Sequence, residues 1–239
     1  MSETNGSSGG GPRVAIVGAG FGGIGLAIRL KRAGFDGFTI LEREAGVGGV
    51  WRDNSYPGLT CDVPSHLYSF SFEPKHDWSR RFPKRDEILA YLEECADRHG
   101  LRDHLRLETE VADADFDEAA GHWRIRTADG EQLEAEVLVT ATGQLSNPSL
   151  PDIPGIEDFE GAAFHSARWD HSVSLSGRRV AAVGVGASAI QFVPEIARET
   201  EHLTIFQRSP NWVIPKPDRP YRPRQRALFA RFPWLQRAS

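Results

Sequence analysis

Two short segments of this chain follow one plan. Arg13-Val-Ala-Ile-Val-Gly-Ala-Gly20 and Arg179-Val-Ala-Ala-Val-Gly-Val-Gly186 align at a constant offset, and each is a β-branched run that breaks into glycines. That is the pattern of a parallel strand buried on both faces and ending in a tight turn. The first copy continues as Gly18-x-Gly20-x-x-Gly23 and the second as Gly184-x-Gly186-x-x-Ala189, with helical patterns following over Ile24 to Ala33 and Ile190 to Arg198. Pro194 forbids one helical hydrogen bond, so the second helix is expected to start late or bend.

In such a unit the first glycine makes the turn and the second lets the backbone approach a pyrophosphate. The third position stays small so that helix packs on strand, and the phosphates rest on the helix N-terminus. Two copies in register point to an α/β fold with two Rossmann-like dinucleotide-binding domains, built on parallel sheets in three layers. The same count from Gly18 and from Gly184 reaches Glu42 and Arg208, each closing a further strand pattern. A carboxylate there accepts bonds from a free ribose diol, whereas a guanidinium suits a 2′-phosphate. The first site therefore reads as one for FAD or NAD and the second as one for NADP. The alternative is that both residues are merely solvated strand ends. Two such sites imply electron transfer between cofactors, with hydride passing from NADPH to a flavin the nearest candidate.

Between the repeats, Arg85 to His99 reads as an amphipathic helix with Ile88, Leu89, Leu92 and Cys95 on one face. Strand patterns follow at Leu105 to Val111, Ala114 to Asp117, His122 to Thr127 and Leu133 to Thr140, with a hairpin turn at Asp129-Gly130. They are expected to form an antiparallel insertion in a first domain over 12–146. A proline-rich linker over 147–170 leads to a second domain over 171–239. The Ser/Gly-rich stretch Met1 to Gly11 reads as a disordered tail. After Arg208 the short remainder carries Pro210, Pro215, Pro217, Pro220, Pro223 and Pro233. It leaves the second domain room for about two parallel strands, where a complete one has five or six, so that domain is expected to be incomplete and the chain a fragment.

The chain has 28 Lys+Arg against 33 Asp+Glu, a net charge of −5. Without a basic stretch, that argues against nucleic acid or an acidic membrane as the main partner. No run approaches the roughly 18 apolar residues of a membrane span. Cys61 and Cys95 make neither a disulfide framework nor a zinc site, and the histidines lack ligand spacing. No metal is expected, and a reducing compartment, the cytoplasm, is the simplest reading. A redox Cys pair soon after Glu42 would mark a pyridine-nucleotide disulfide oxidoreductase, and Cys61 stands alone.

Three further segments carry a resemblance. Phe159-x-Gly161-x-x-x-His165-x-x-x-Trp169 is followed by Asp170. Gly48-Gly49-x-Trp51 continues to Tyr56-Pro57-Gly58-x-x-x-Asp62, and Arg208-Ser209 precedes Pro210-Asn211-Trp212. Together with the glycine motifs they resemble the Baeyer–Villiger monooxygenases, class B flavin enzymes, from about Arg13 to Trp212. The resemblance implies FAD contacts at Gly18, Gly20, Phe21, Gly23, Glu42, Gly49, Trp51, Asp62, Tyr68 and Val111. It implies NADP contacts at Thr60, Asp62, Gly184, Gly186, Ala187, Ser188, Ala189, Arg208 and Ser209. Phe159, Gly161, His165 and Trp169 fall in the family's linker fingerprint, where the histidine has a structural or gating role rather than that of a general base, and Trp169 anchors the linker.

Residue chemistry stands beside the resemblance. Gly48 and Gly49 allow close backbone approach, and Trp51 and Tyr56 read either as an apolar wall on a flavin ring or as core aromatics of a long loop. Asp62, the one candidate catalytic residue, is placed to orient a cationic group or a nicotinamide amide, or is a helix N-cap or turn residue.

The implied reaction runs from NADPH through FAD and a peroxyflavin to oxygen insertion beside a ketone carbonyl, with O2 and a small ketone as partners. In the family a downstream arginine supplies positive charge beside the flavin, and the chain ends before the corresponding position. The polypeptide alone is therefore expected to bind FAD weakly at best and to oxidise no ketone. The alternatives are a flavin-dependent N- or S-oxidising monooxygenase and an inactive nucleotide-binding fragment.

Overall fold

A computed structural model describes residues 11–237, so the expected N-terminal tail, Gly11 apart, lies outside the described residues. The chain divides into two compact units, residues 11–52 with 89–146 and residues 53–88 with 147–237.

The first unit is built on β1 (Val14–Val17), α1 (Phe21–Arg32) and β2 (Phe38–Leu41). α2 (Val50–Asp53) closes its first segment, and α3 (Arg85–Arg98) leads into its second. There follow β3 (Leu105–Arg106), β4 (Val111–Asp117), β5 (His122–Thr127), β6 (Gln132–Ala135) and β7 (Val137–Thr140). One sheet has the order β3-β2-β1-β7 with every pair parallel, as buried β-branched strands predict. β4, β5 and β6 form an antiparallel meander. The two sheets share a core in which Ala15, Leu41, Ile125 and Ala135 meet, with Val111, Trp123 and Leu138 packed around them.

α1 contains Gly22, Gly23 and Gly25, each costing roughly 0.8–1 kcal/mol of helix propensity relative to Ala. Ile24, Ala27 and Ile28 on its inner face are fully buried. At about 1.5–3 kcal/mol per buried Ile, packing rather than propensity holds this helix.

Two strand expectations are corrected here. The pattern over Leu105 to Val111 is broken after Arg106, because Glu108 takes a left-handed backbone (φ 52°) and its amide and that of Thr109 turn back to the Glu44 and Glu42 carbonyls. The single strand expected over Leu133 to Thr140 is two, with Glu136 at the break. The amides of Glu136 and Val137 both donate to the Arg13 carbonyl, so the chain leaves the meander there and joins β1.

The second unit holds β8 (Arg179–Val183), α4 (Ala187–Ile196), β9 (His202–Phe206), α5 (Pro223–Arg231) and α6 (Pro233–Arg237). β8 and β9 pair in parallel. α4 starts at Ala187, straight from the glycine turn, and not late; Pro194 falls near its end, where only the bond to the Ile190 carbonyl is forfeited.

Residues 53–88 cluster with this unit, although the sequence suggests that they belong with the first domain. Their partners explain it. Thr60 bridges Lys84, the Ser65 amide donates to Arg81, and Arg80 bridges Pro220. The Arg80 guanidinium grips both carboxylate oxygens of Asp218. The proline-rich tail is thus an ordered part of this unit and not loose chain. Among the described residues no helix is long and apolar enough to cross a membrane, and no group of His, Cys, Asp or Glu could hold a metal ion.

Candidate nucleotide-binding sites

At the end of β1 the chain turns through Gly18, whose φ of 105° favours glycine; a Cβ there would also stand 2.7 Å from the Ala141 carbonyl oxygen at the end of β7. β1 lies between β2 and β7, so this is the point where the sheet order reverses and a crevice opens at the strand ends. A Cβ on Gly23 would come within 1.9 Å of the Gly18 carbonyl oxygen, so the third glycine is obligatory. Gly20 and Gly49 face one another: a Cβ on Gly49 would lie 3.1 Å from the Gly20 Cα. No side chain caps the N-terminus of α1, and its first turn has no acid. Backbone amides there are left for an anion.

Glu42 is buried, which corrects the solvated strand-end alternative for it. Its Oε2 accepts the Ala19 amide at 2.6 Å and its Oε1 the Glu44 amide at 2.9 Å. The carboxylate is therefore locked beside the glycine turn, and each oxygen keeps a further lone pair for a hydroxyl donor. Phe21 opens α1 with its ring 6.2 Å from that of Tyr91, Trp51 is buried in α2, and Val111 opens β4 against the core. Arg52 holds this loop through the Val47 carbonyl at 2.7 Å and Glu93 at 2.5 Å.

The second glycine turn is more open. Gly184 has φ 100°, and nothing lies within 4 Å of a Cβ on Gly184 or Gly186. α4 also begins without a capping side chain or an acid in its first turn, and Ala189 is buried at the third small position. Arg208, just beyond β9, is exposed, and no side chain or carbonyl among the described residues pairs with its guanidinium. Ser209 follows it, its carbonyl accepting from Gln207 at 3.1 Å.

The loop from Tyr56 to Asp62 lies along α4. Gly58 (φ 77°) leaves only 2.8 Å between a Cβ and the Gln191 carbonyl oxygen. The Tyr56 ring meets Phe192 edge-on at 6.2 Å and its hydroxyl bonds Ser188. Burial pushes the Tyr56 phenol up, against the Ser188 bond. The Tyr56 ring is buried and packs on α4. The Thr60 amide donates to Gln191 Oε1 at 2.7 Å, and Gln191 Nε2 lies 3.5 Å from Asp62 Oδ1. Asp62 caps no helix, since Pro64 holds the cap position of the next short turn; its cationic neighbour is Lys216, at 3.8 Å. Burial also pushes the neighbouring Cys61 thiol up. Tyr68 closes the 65–67 turn in this same unit.

In the linker fingerprint, Trp169 packs against Phe192 and Phe164, both at 5.3 Å between ring centroids. His165 Nδ1 accepts the Ala167 amide at 3.0 Å, a local turn contact. Phe159 is exposed, and a Cβ on Gly161 would meet its ring at 2.5 Å. Sequence reasoning missed Gln191 and Lys216. Gln191 lies two residues past Ala189 and so on another face of α4, and nothing local marks either it or Lys216.

Parallel strands that open into a glycine turn beneath an uncapped helix define a dinucleotide-type α/β protein, and each unit here has one such turn. The chain belongs to the flavin-binding monooxygenase-like family, whose model matches residues 11–238. It is 54% identical over 221 residues to a Baeyer-Villiger monooxygenase of Streptomyces coelicolor, covering 92% of this chain and 42% of that one. Its fold is similar to cyclohexanone monooxygenase from Rhodococcus sp. Phi1 bound to NADP+, with TM-score 0.85 and 36% identity over 95% of this chain and 44% of that one. It is likewise similar to OTEMO in complex with FAD and NADP, with TM-score 0.85 and 32% identity over 95% of this chain and 44% of that one. The chain spans less than half the length of these relatives.

Proposed function

We propose that this chain supplies the FAD and NADPH sites of a monooxygenase that inserts one atom of O2 beside a ketone carbonyl, giving an ester or lactone. The observation that carries the reading is that the first turn has a buried, amide-locked carboxylate and the second an exposed guanidinium with no partner among the described residues. Family membership and two relatives named as complexes with NADP, one of them also with FAD, support it.

Both sites fit their groups. At the first, the bare backbone of Gly18, Gly20 and Gly49 and the open start of α1 would receive the pyrophosphate, and Glu42 the ribose diol. At the second, Gly184, Gly186 and the amides of Ala187 to Ala189 would hold the pyrophosphate, and Arg208 with Ser209 the 2′-phosphate. FAD when bound supplies the two-electron and oxygen chemistry that no side chain can perform. The residues of the chain bind, orient and exclude water. Asp62, beside Thr60 and Gln191, would accept a hydrogen bond from a carboxamide at the nicotinamide end. Phe21, Trp51, Tyr68 and Val111 belong to the proposed FAD contacts and Thr60 to the NADP contacts. Phe159, Gly161, His165 and Trp169 form a linker that rests on α4 through Trp169.

Flavin absorbance retained by the purified protein and bleached by NADPH under anaerobic conditions would support this reading. In a protein of its relatives' full length that carries this chain, offering a cyclic ketone and an amine separates the reading from N-oxidation: lactone is expected, and amine oxide alone would contradict it.

A further inference from the structure

We propose that Lys216 is a positioning residue of the second nucleotide site, holding Thr60 and Asp62 against α4 and neutralising the Asp62 carboxylate next to an anionic ligand. This rests on the reading of that site as one for NADPH. The Lys216 Nζ donates to Thr60 Oγ1 at 2.7 Å, stands 3.8 Å from Asp62 Oδ1, and sits 5.0 Å from the Phe82 ring centroid. Thr60 and Asp62 each also touch Gln191, so one ammonium and one carboxamide grip the same loop from two sides.

The lysine is delivered by an ordered strap. The Asn211 side-chain amide donates to the Val185 carbonyl, inside the second glycine turn. Two residues past Lys216, Asp218 is gripped by Arg80 and accepts the Phe82 amide at 3.3 Å. The backbone on both sides of Lys216 is thus tied to this unit. Asp62 keeps 65% of its side-chain surface open. Without a cation it would repel the phosphates that the amides at the start of α4 attract. A methionine at position 216 keeps the apolar stem over Phe82 and removes only the charge and its hydrogen bond.

The test is calorimetric titration of NADP+ into the parent chain, K216M, K216R, D62N and the D62N/K216M double variant. K216M is expected to weaken NADP+ roughly tenfold, K216R to bind near the parent, and K216M to cost little once Asp62 is Asn. An equal loss in both backgrounds, or no loss, overturns the assignment while leaving the NADPH reading intact. A parent that binds no NADP+ overturns that reading and the assignment with it. A second arm needs no Lys216 variant and no nucleotide. The chain has four lysines, Lys31, Lys75, Lys84 and Lys216, so trace acetylation followed by mass spectrometry resolves each. Lys216 is expected to react faster in D62N than in the parent, and an unchanged rate overturns the proposal.

Discussion

The backbone amide of Ala19, in the middle of the first glycine turn, donates to Oε2 of Glu42 at 2.6 Å, and the side chain that accepts it is buried. One carboxylate therefore both shapes the turn and lines the place where a ribose would lie. Glu42→Ala leaves the Ala19 amide without its acceptor, a loss of about 1–3 kcal/mol. Denaturant unfolding should show that loss together with weaker FAD binding. Full stability in the variant would mean the amide finds water and the turn does not depend on Glu42.

The two glycine turns should respond differently to a methyl group. Gly23→Ala forces a Cβ to within 1.9 Å of the Gly18 carbonyl oxygen, and overpacking of that kind costs about 1–3 kcal/mol or more. At Gly186 the backbone is ordinary (φ −65°) and the space around a Cβ is empty. Gly186→Ala should cost no more than about 1 kcal/mol, as expected for a poorer helix N-cap, yet weaken NADP+ by obstructing close approach. Thermal melts paired with nucleotide titration read both effects.

Glu136, at the break between β6 and β7, accepts the Arg13 amide at 2.5 Å and three guanidinium bonds at 3.1, 3.3 and 2.9 Å. Those bonds, the guanidinium's first, hold its carboxyl down at about 2. A depressed carboxyl stabilises the fold above its ordinary value of 4.5, and that contribution fades as pH falls from there through about 2. NMR titration should place the Glu136 midpoint well below the other glutamates, and Arg13→Ala should return it toward 4.5. An unmoved midpoint would show that the pair is not formed in solution.

Local pattern made much of the fold legible. The apolar runs at Val14 and Val180, the glycines after them and the small third positions state a strand–turn–helix unit within a dozen residues, and α1, β2 and α3 lie close to where periodicity puts them. Failures came where distant partners decide. Glu108 breaks a strand because its amide and that of Thr109 bond back to residues 44 and 42. The loop from Tyr56 is shaped by Phe192 and Gln191, far along the chain. Lys216 reached its place through Asn211 and Asp218, whose partners carry no sequence signature. The candidate sites followed the same division. The glycines, Glu42 and Arg208 could be read from spacing, while the groups that hold Thr60 and Asp62 could not.

Recognition of a phosphorylated ribose by the second glycine turn, with Arg208 beyond it, is the proposal on which the assignment of two different nucleotides rests. Calorimetric titration of NADP+ and NAD+ into the parent chain and Arg208→Ala tests it most directly. The parent should favour NADP+ by on the order of 10–100-fold, the worth of a charge-assisted contact, and the variant should lose most of that preference. Equal affinity of the parent for the two nucleotides would contradict the claim.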